Sequence, residues 1–121
     1  MNVNELKLGD WVFIDGEPVK IEEVCPGMEQ TYYNDKTHAY KDYTYAEMQP
    51  IPLTDEILVK NGWKSNHAIF EGGHRLFMCI VNGKCSVYKV DGKAVWLRDI
   101  YYVHELQHIL WALGIDDTIK L

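Results

Sequence analysis

One run of the chain has the spacing of a reaction centre: His104-Glu105-Leu106-Gln107-His108. On a helix, histidines at i and i+4 project from one face, where their imidazole nitrogens can share a zinc ion. A glutamate beside the first can take a proton from zinc-bound water. Read this way, His104 and His108 are metal ligands, Glu105 is the general base, and the protein is a small zinc-dependent hydrolase or metallopeptidase. Such a centre needs a third protein ligand. Only 13 residues follow His108, too few for a second helix carrying a glutamate. The longer H-E-x-x-H-x-x-G-x-x-H pattern fails, because Trp111 and Gly114 stand where it requires Gly and His. Nothing around His38, His67 or His74 marks one of them as the missing ligand. The competing expectation is no cofactor and no catalytic residue, with two histidines on the solvent face of a helix.

No other constellation carries chemistry. The chain has no Gly-rich phosphate loop, no G-x-S-x-G and no cysteine flanked by a base. Glu71-Gly72-Gly73-His74 reads as a hairpin turn, and Asp15-Gly16-Glu17 and Asp116-Asp117 are too sparse for a calcium loop.

The elements around the H-E-x-x-H run follow from periodicity. Val103, Leu106, Leu110 and Leu113 recur at helical spacing, which predicts a helix over 101–113 with Gly114 as its cap, and His104 and His108 opposite the apolar stripe. Residues 115–121 read as a short polar tail without an anchor. A second helix is expected over 54–62, with Thr54 as N-cap, Asp55 and Glu56 in the first turn and Gly62 after the last. Between the two, residues 68–97 alternate as a three-stranded antiparallel meander turning at Asn82-Gly83 and Asp91-Gly92. A two-residue turn at each site puts Phe77, Cys79, Val81, Tyr88, Val90, Val95 and Leu97 on one face. The other face then holds Met78, Ile80, Cys85, Val87, Ala94 and Trp96. Both are apolar, so the sheet is expected to be covered on both sides. The same register separates Cys79 from Cys85 and forbids a disulfide between them.

The N-terminal third has a strand rhythm: Trp11–Ile14, a turn at Asp15-Gly16, then Val19–Val24 ended by Cys25-Pro26-Gly27. Residues 28–53 follow as a tyrosine-dense stretch, with a turn near Asn34-Asp35-Lys36 and a strand over Tyr43–Gln49. Tyr32, Tyr33, Tyr40 and Tyr43 form the candidate recognition surface, since exposed tyrosine offers contact area at low entropic cost. The competing reading is that tyrosine simply favours half-buried strands.

Composition bounds the partners. The 121 residues carry 18 acidic and 12 basic side chains, a net charge of −6 that repels phosphate backbones and disfavours nucleic acid. Apolar runs are too short to span a bilayer, residues 1–10 lack the apolar run of a secretory signal, and three cysteines suit a reducing compartment. The expectation is a cytoplasmic protein with a protein partner and no membrane.

Two resemblances add to this. Leu6-x-x-Gly9-Asp10-Trp11-Val12 resembles the first strand of SH3-like barrels. Leu6–Val12, Pro50-Ile51-Pro52-Leu53-Thr54-Asp55-Glu56-Ile57-Leu58, Asn61-Gly62-Trp63 and Tyr102-Val103-His104-Glu105-Leu106-Gln107 through Ala112-Leu113, in this order, resemble a group of small proteins encoded in prophages and mobile elements of gut Bacteroidales, which have no established activity. In that group Asn stands at the position of His108, and Gln is frequent at that of Glu105. The resemblance therefore implies that zinc ligation is no shared property, and that His104, Leu106 and Gln107 serve the fold. The expected architecture is one α+β domain over residues 1–121, with an N-terminal β-ribbon (1–27) and a meander packed with two helices. The expected function is that of a non-enzymatic accessory protein of a phage or mobile element, acting through protein contacts.

Overall fold

Short turns of fixed hand set the hairpins of this chain. A two-residue loop of type I′ matches the twist of its flanking strands and needs positive φ at both central residues, which Asn, Asp and Gly tolerate. Asn82 (φ 52°) and Gly83 (φ 79°) do so, as do Asp15 (φ 53°) and Gly16 (φ 77°). The computed structural model describes residues 6–21, 23–25, 30–34, 40–44, 48–64, 67–69, 75–116 and 118–121. For 23–25, 30–34, 40–44 and 67–69 the description is of backbone pairing. The expected turn residues Asp35 and Lys36, the Glu71–His74 turn, and His38 lie outside it.

The fold is α+β, and the chain divides into two compact units, Met1–Ile51 and Pro52–Leu121. In the first, β1 (Trp11–Ile14) is flanked by β2 (Glu17–Lys20) and β6 (Met48–Pro50), both antiparallel to it. Pro18 and Pro50 sit on these outer strands, where a missing N–H costs no ladder bond. Val12, Ile14, Ile21 and Met48 are buried with Leu6 in a small core. Asp10 shapes the entry to β1. Its carboxylate, fully buried, accepts from the Lys7 N–H at 2.9 Å, and its carbonyl accepts from the Ile21 N–H at 2.9 Å. A second sheet has the order β3 (Glu23–Cys25), β4 (Gln30–Asn34), β5 (Tyr40–Thr44). The single strand expected over Tyr43–Gln49 is therefore two pieces in different sheets, β5 paired with β4 and β6 with β1.

The second unit is built on a four-stranded antiparallel sheet in the order β10-β9-β8-β7. Its strands are β7 (His67–Ile69), β8 (Arg75–Val81), β9 (Lys84–Asp91) and β10 (Lys93–Ile100). The meander thus gains one strand, β7, beyond the three expected. The β8–β9 register is the expected one, with Val81 opposite Lys84, Ile80 opposite Cys85 and Cys79 opposite Ser86.

The β9–β10 register differs. Asp91 pairs with Lys93 across Gly92 (φ 77°), so the loop is one residue long and Trp96 faces Tyr88 rather than Val87. A one-residue slip moves every side chain to the other face. A bulge after Trp96 then absorbs Leu97 and shifts the register by a second residue, which restores the expected faces while pairing Arg98 with Val87 and Ile100 with Cys85. Ile100 is returned to the buried face, while Ala94 and Trp96 are left on the outside.

Two helices complete the unit. α1 (Asp55–Lys60) starts at Thr54, whose hydroxyl accepts from the Ile57 N–H at 3.3 Å. α2 spans Val103–Ala112. Both end in a left-handed glycine, Gly62 and Gly114, with the two backbone bonds of a Schellman turn. Trp63 N–H reaches the Leu58 carbonyl and Gly62 N–H that of Val59, while Ile115 N–H reaches Leu110 and Gly114 N–H reaches Trp111. A bond from the Leu53 N–H to the Tyr101 carbonyl, 3.0 Å, ties the approaches to the two helices together.

The C-terminal tail is anchored, contrary to expectation. The Asn61 amide donates to the Lys120 carbonyl at 2.8 Å and accepts from its N–H at 2.7 Å, as a neighbouring strand would. The Lys60 ammonium donates to the Leu121 carbonyl, and Ile119 is buried.

Candidate functional site on the last helix and the outer sheet face

The three residues of the H-E-x-x-H reading sit where a helix begins. His104 is 3% exposed, not on the solvent face. Its ring stacks on Tyr102 at 5.9 Å between centroids and meets the edge of His108, half-buried, at 5.6 Å. The buried arc of α2 runs through Val103, His104, Leu106, Gln107, Ile109 and Leu110. It is wider than the four-residue stripe because two polar side chains, His104 and Gln107, join it. The structure does bring the two imidazoles together, on successive turns.

Glu105 is committed to the helix terminus. One carboxylate oxygen accepts from the Tyr101 and Tyr102 N–H groups at 3.0 and 3.2 Å, covering donors that no helical carbonyl serves. The other accepts from the Arg98 guanidinium at 2.8 Å. To act as a base, Glu105 would have to surrender these bonds. Among the described residues no group of three or more His, Cys, Asp or Glu is gathered as a metal would require. His67 lies on β7 by its backbone, and His74 falls outside the description.

The tyrosine surface is placed by backbone register alone. Tyr32 and Tyr33 lie on β4, opposite Asp42 and Lys41, and Tyr40 and Tyr43 lie on β5, opposite Asn34 and Thr31. Strand alternation divides these positions two and two between the faces of that sheet.

The feature that sequence reasoning missed is the outer face of the four-stranded sheet. Its inner face carries Leu76, Met78, Cys85, Val87 and Ile100, all at most 1% exposed. The outer face, expected to be covered, is open. Phe77, Tyr88 and Trp96 are aligned at paired positions across β8, β9 and β10, with Phe77 38% and Trp96 55% exposed. The Phe77 and Tyr88 rings lie 6.2 Å apart and tilted. Beside this row is an open hollow of about 490 Å³ walled by Cys79, Val81, Tyr88 and Tyr101, with Asn82, Lys84 and Ser86 as its polar members. The signal was present in β9, where Lys84 and Ser86 alternate with Cys85 and Val87. It was obscured in β8, where Phe77 and Cys79 are as apolar as their buried neighbours.

Charge at this face is organised around Asp99. The Ser86 hydroxyl donates to its carboxylate at 2.7 Å and the Trp96 indole N–H at 3.2 Å, and the Lys84 ammonium lies 3.8 Å away. Together they hold the Asp99 carboxyl below its ordinary value. On the inner face, burial and the nearby Asp55 and Glu105 carboxylates push the Cys85 thiol up from 9.0 to about 11. Both carboxylates belong to the first turns of α1 and α2, which places those helix starts beside the inner face. Among the described residues no helix is long and apolar enough to cross a membrane. No family model, no curated protein and no solved structure matches this chain.

Proposed function

We propose that the chain is a binding module with no chemistry of its own, an accessory protein working through protein contacts made by the outer face of the four-stranded sheet. The observation behind this reading is the exposed aromatic row Phe77–Tyr88–Trp96 beside an open hollow. Large apolar side chains gathered on one surface mark association sites far more often than singly scattered ones do. Aromatic residues next to a pocket are the groups that dominate binding energy at interfaces. The likeness to mobile-element proteins supplies a setting, in which the module serves a phage or conjugative assembly. The tyrosine positions on β4 and β5 offer a second contact region.

The test compares wild type with a Phe77→Ser/Trp96→Ser double variant in crosslinking followed by mass spectrometry from the native host. The expected result is a protein partner crosslinked through β8–β10 and lost in the variant, whose melting temperature stays close to wild type. A partner retained by the variant and crosslinked through β4–β5 would overturn the assignment of the surface.

The adjacency of His104 and His108 favours one second reading, a zinc-dependent hydrolase with Glu105 as base. Near-stoichiometric zinc in untagged protein, lost on His108→Ala, with a chelator lowering the melting temperature by several degrees, would promote it. On the binding-module reading a chelator leaves the melting curve unmoved.

A further inference from the structure

Charge is divided unequally along the chain. Residues 1–51 hold ten acidic and four basic side chains, and residues 52–121 hold eight of each, so the whole net charge of −6 belongs to the first unit. Within the second unit, β8–β10 carry Arg75, Lys84, Lys89, Lys93 and Arg98 against Asp91 and Asp99. Strand alternation puts Arg75 and Lys84 against Asp99 on the outer face, which is therefore positive by one charge in a protein that is acidic overall.

Three features of the hollow narrow what it takes. Cys79, Val81, Tyr88 and Tyr101 form the apolar part of its walls, which suits a bulky apolar side chain as anchor. Its cation, Lys84, is 47% exposed and held to Asp99 at 3.8 Å, longer than a charge-assisted hydrogen bond. Asp99 has closer donors in Ser86 and Trp96, so it keeps its partners if Lys84 turns to an incoming carboxylate. Resting on the reading of this face as a protein-contact surface, we propose that its ligand is an acidic peptide segment of a partner protein. A large apolar residue of that segment fills the hollow between Val81, Tyr88 and Tyr101, and a neighbouring Asp or Glu pairs with Lys84. Nucleic acid would need a denser cationic track, and the outer positions offer only Arg75 and Lys84. A two-fold contact with a second copy would set this net-positive face against its own kind.

The experiment is a selection of random displayed peptides on the full chain, scored by anisotropy of the enriched peptides on wild type, Lys84→Glu and Trp96→Ser. The expected winners carry Asp or Glu next to a bulky apolar residue, and Lys84→Glu weakens them by about tenfold or more. A winner in which Lys replaces the acidic residue should recover affinity on Lys84→Glu. Winners that are neutral or basic, yet depend on Trp96, would overturn the acidic partner and leave the protein-contact reading standing. No winner sensitive to either substitution would overturn both. Oligothymidylate binding lost on Trp96→Ser, or a wild-type dimer in sedimentation abolished by Lys84→Glu, would overturn the proposal in favour of nucleic acid or of a second copy.

Discussion

The two faces of the four-stranded sheet are made of similar residues and have opposite fates. Met78 and Cys85 on one face are sealed, whereas Phe77 and Cys79, one and six positions earlier, are exposed. The difference teaches that hydrophobic composition qualifies a face for burial without securing it. Burial needs a cover, and the second unit has two helices whose first turns both lie by the inner face. Phe77 and Trp96 on the outer face stay exposed, as the contact surface proposed above requires.

The largest effect that would test this contrast is truncation on either side of one strand. Met78→Ala should cost roughly 2–5 kcal/mol, a large part of the roughly 5–15 kcal/mol that holds a domain together. Phe77→Ala, its neighbour, should cost less than about 1 kcal/mol, because its side chain lies on the open face, 38% exposed, in a tilted contact with Tyr88. Urea titration of both variants measures the difference, and equal losses would mean that the outer face is covered.

Next comes the turn that fixes which residue goes where. Gly83 sits at φ 79°, where a β-branched side chain is strained, so Gly83→Val should cost about 1–3 kcal/mol. Lys84→Glu, one residue on, should change the melting temperature little.

The two thiols give a subtler contrast. With a thiol-directed reagent at neutral pH, Cys79 should label in the native protein and Cys85 only after unfolding. The thiolate is the reactive form, and the Cys85 thiol is both sealed and raised to about 11. The sign for stability follows. The unfolded chain loses this proton near pH 9 and the folded chain near 11, so the contribution is intact below about 9 and falls as pH rises between the two. A Cys85→Ala variant should lose that alkaline slope, and a wild-type protein without it would show Cys85 to be less buried than the fold implies.

The smallest effect is expected at the proposed contact itself. Trp96→Ser should change stability by about 0.5 kcal/mol or less, since it removes an exposed ring and one exposed bond to Asp99. A severe loss would mark Trp96 as a fold residue and remove it from the contact surface.

What could be read in the sequence was whatever depends on neighbours along the chain. The turn at Asn82-Gly83, the Thr54 cap, the terminating glycines Gly62 and Gly114, and the separation of Cys79 from Cys85 are local matters of φ, hydrogen-bond donors and strand alternation. Tertiary structure decided what depends on distant partners. The β9–β10 slip was hidden because Asp91-Gly92 is compatible with a loop of one residue or two, and only the bulge at Leu97, which restores Ile100 to the core, selects the first. Anchoring of the tail needed Asn61, 59 residues away from Lys120. His104 looked solvent-facing because it lies opposite the apolar stripe, and packing buries it together with Gln107 regardless. The hydrogen bonds of Glu105 at the helix terminus and the exposure of the aromatic row belong to the same class, because what fills the space around a side chain is decided by segments remote in the chain.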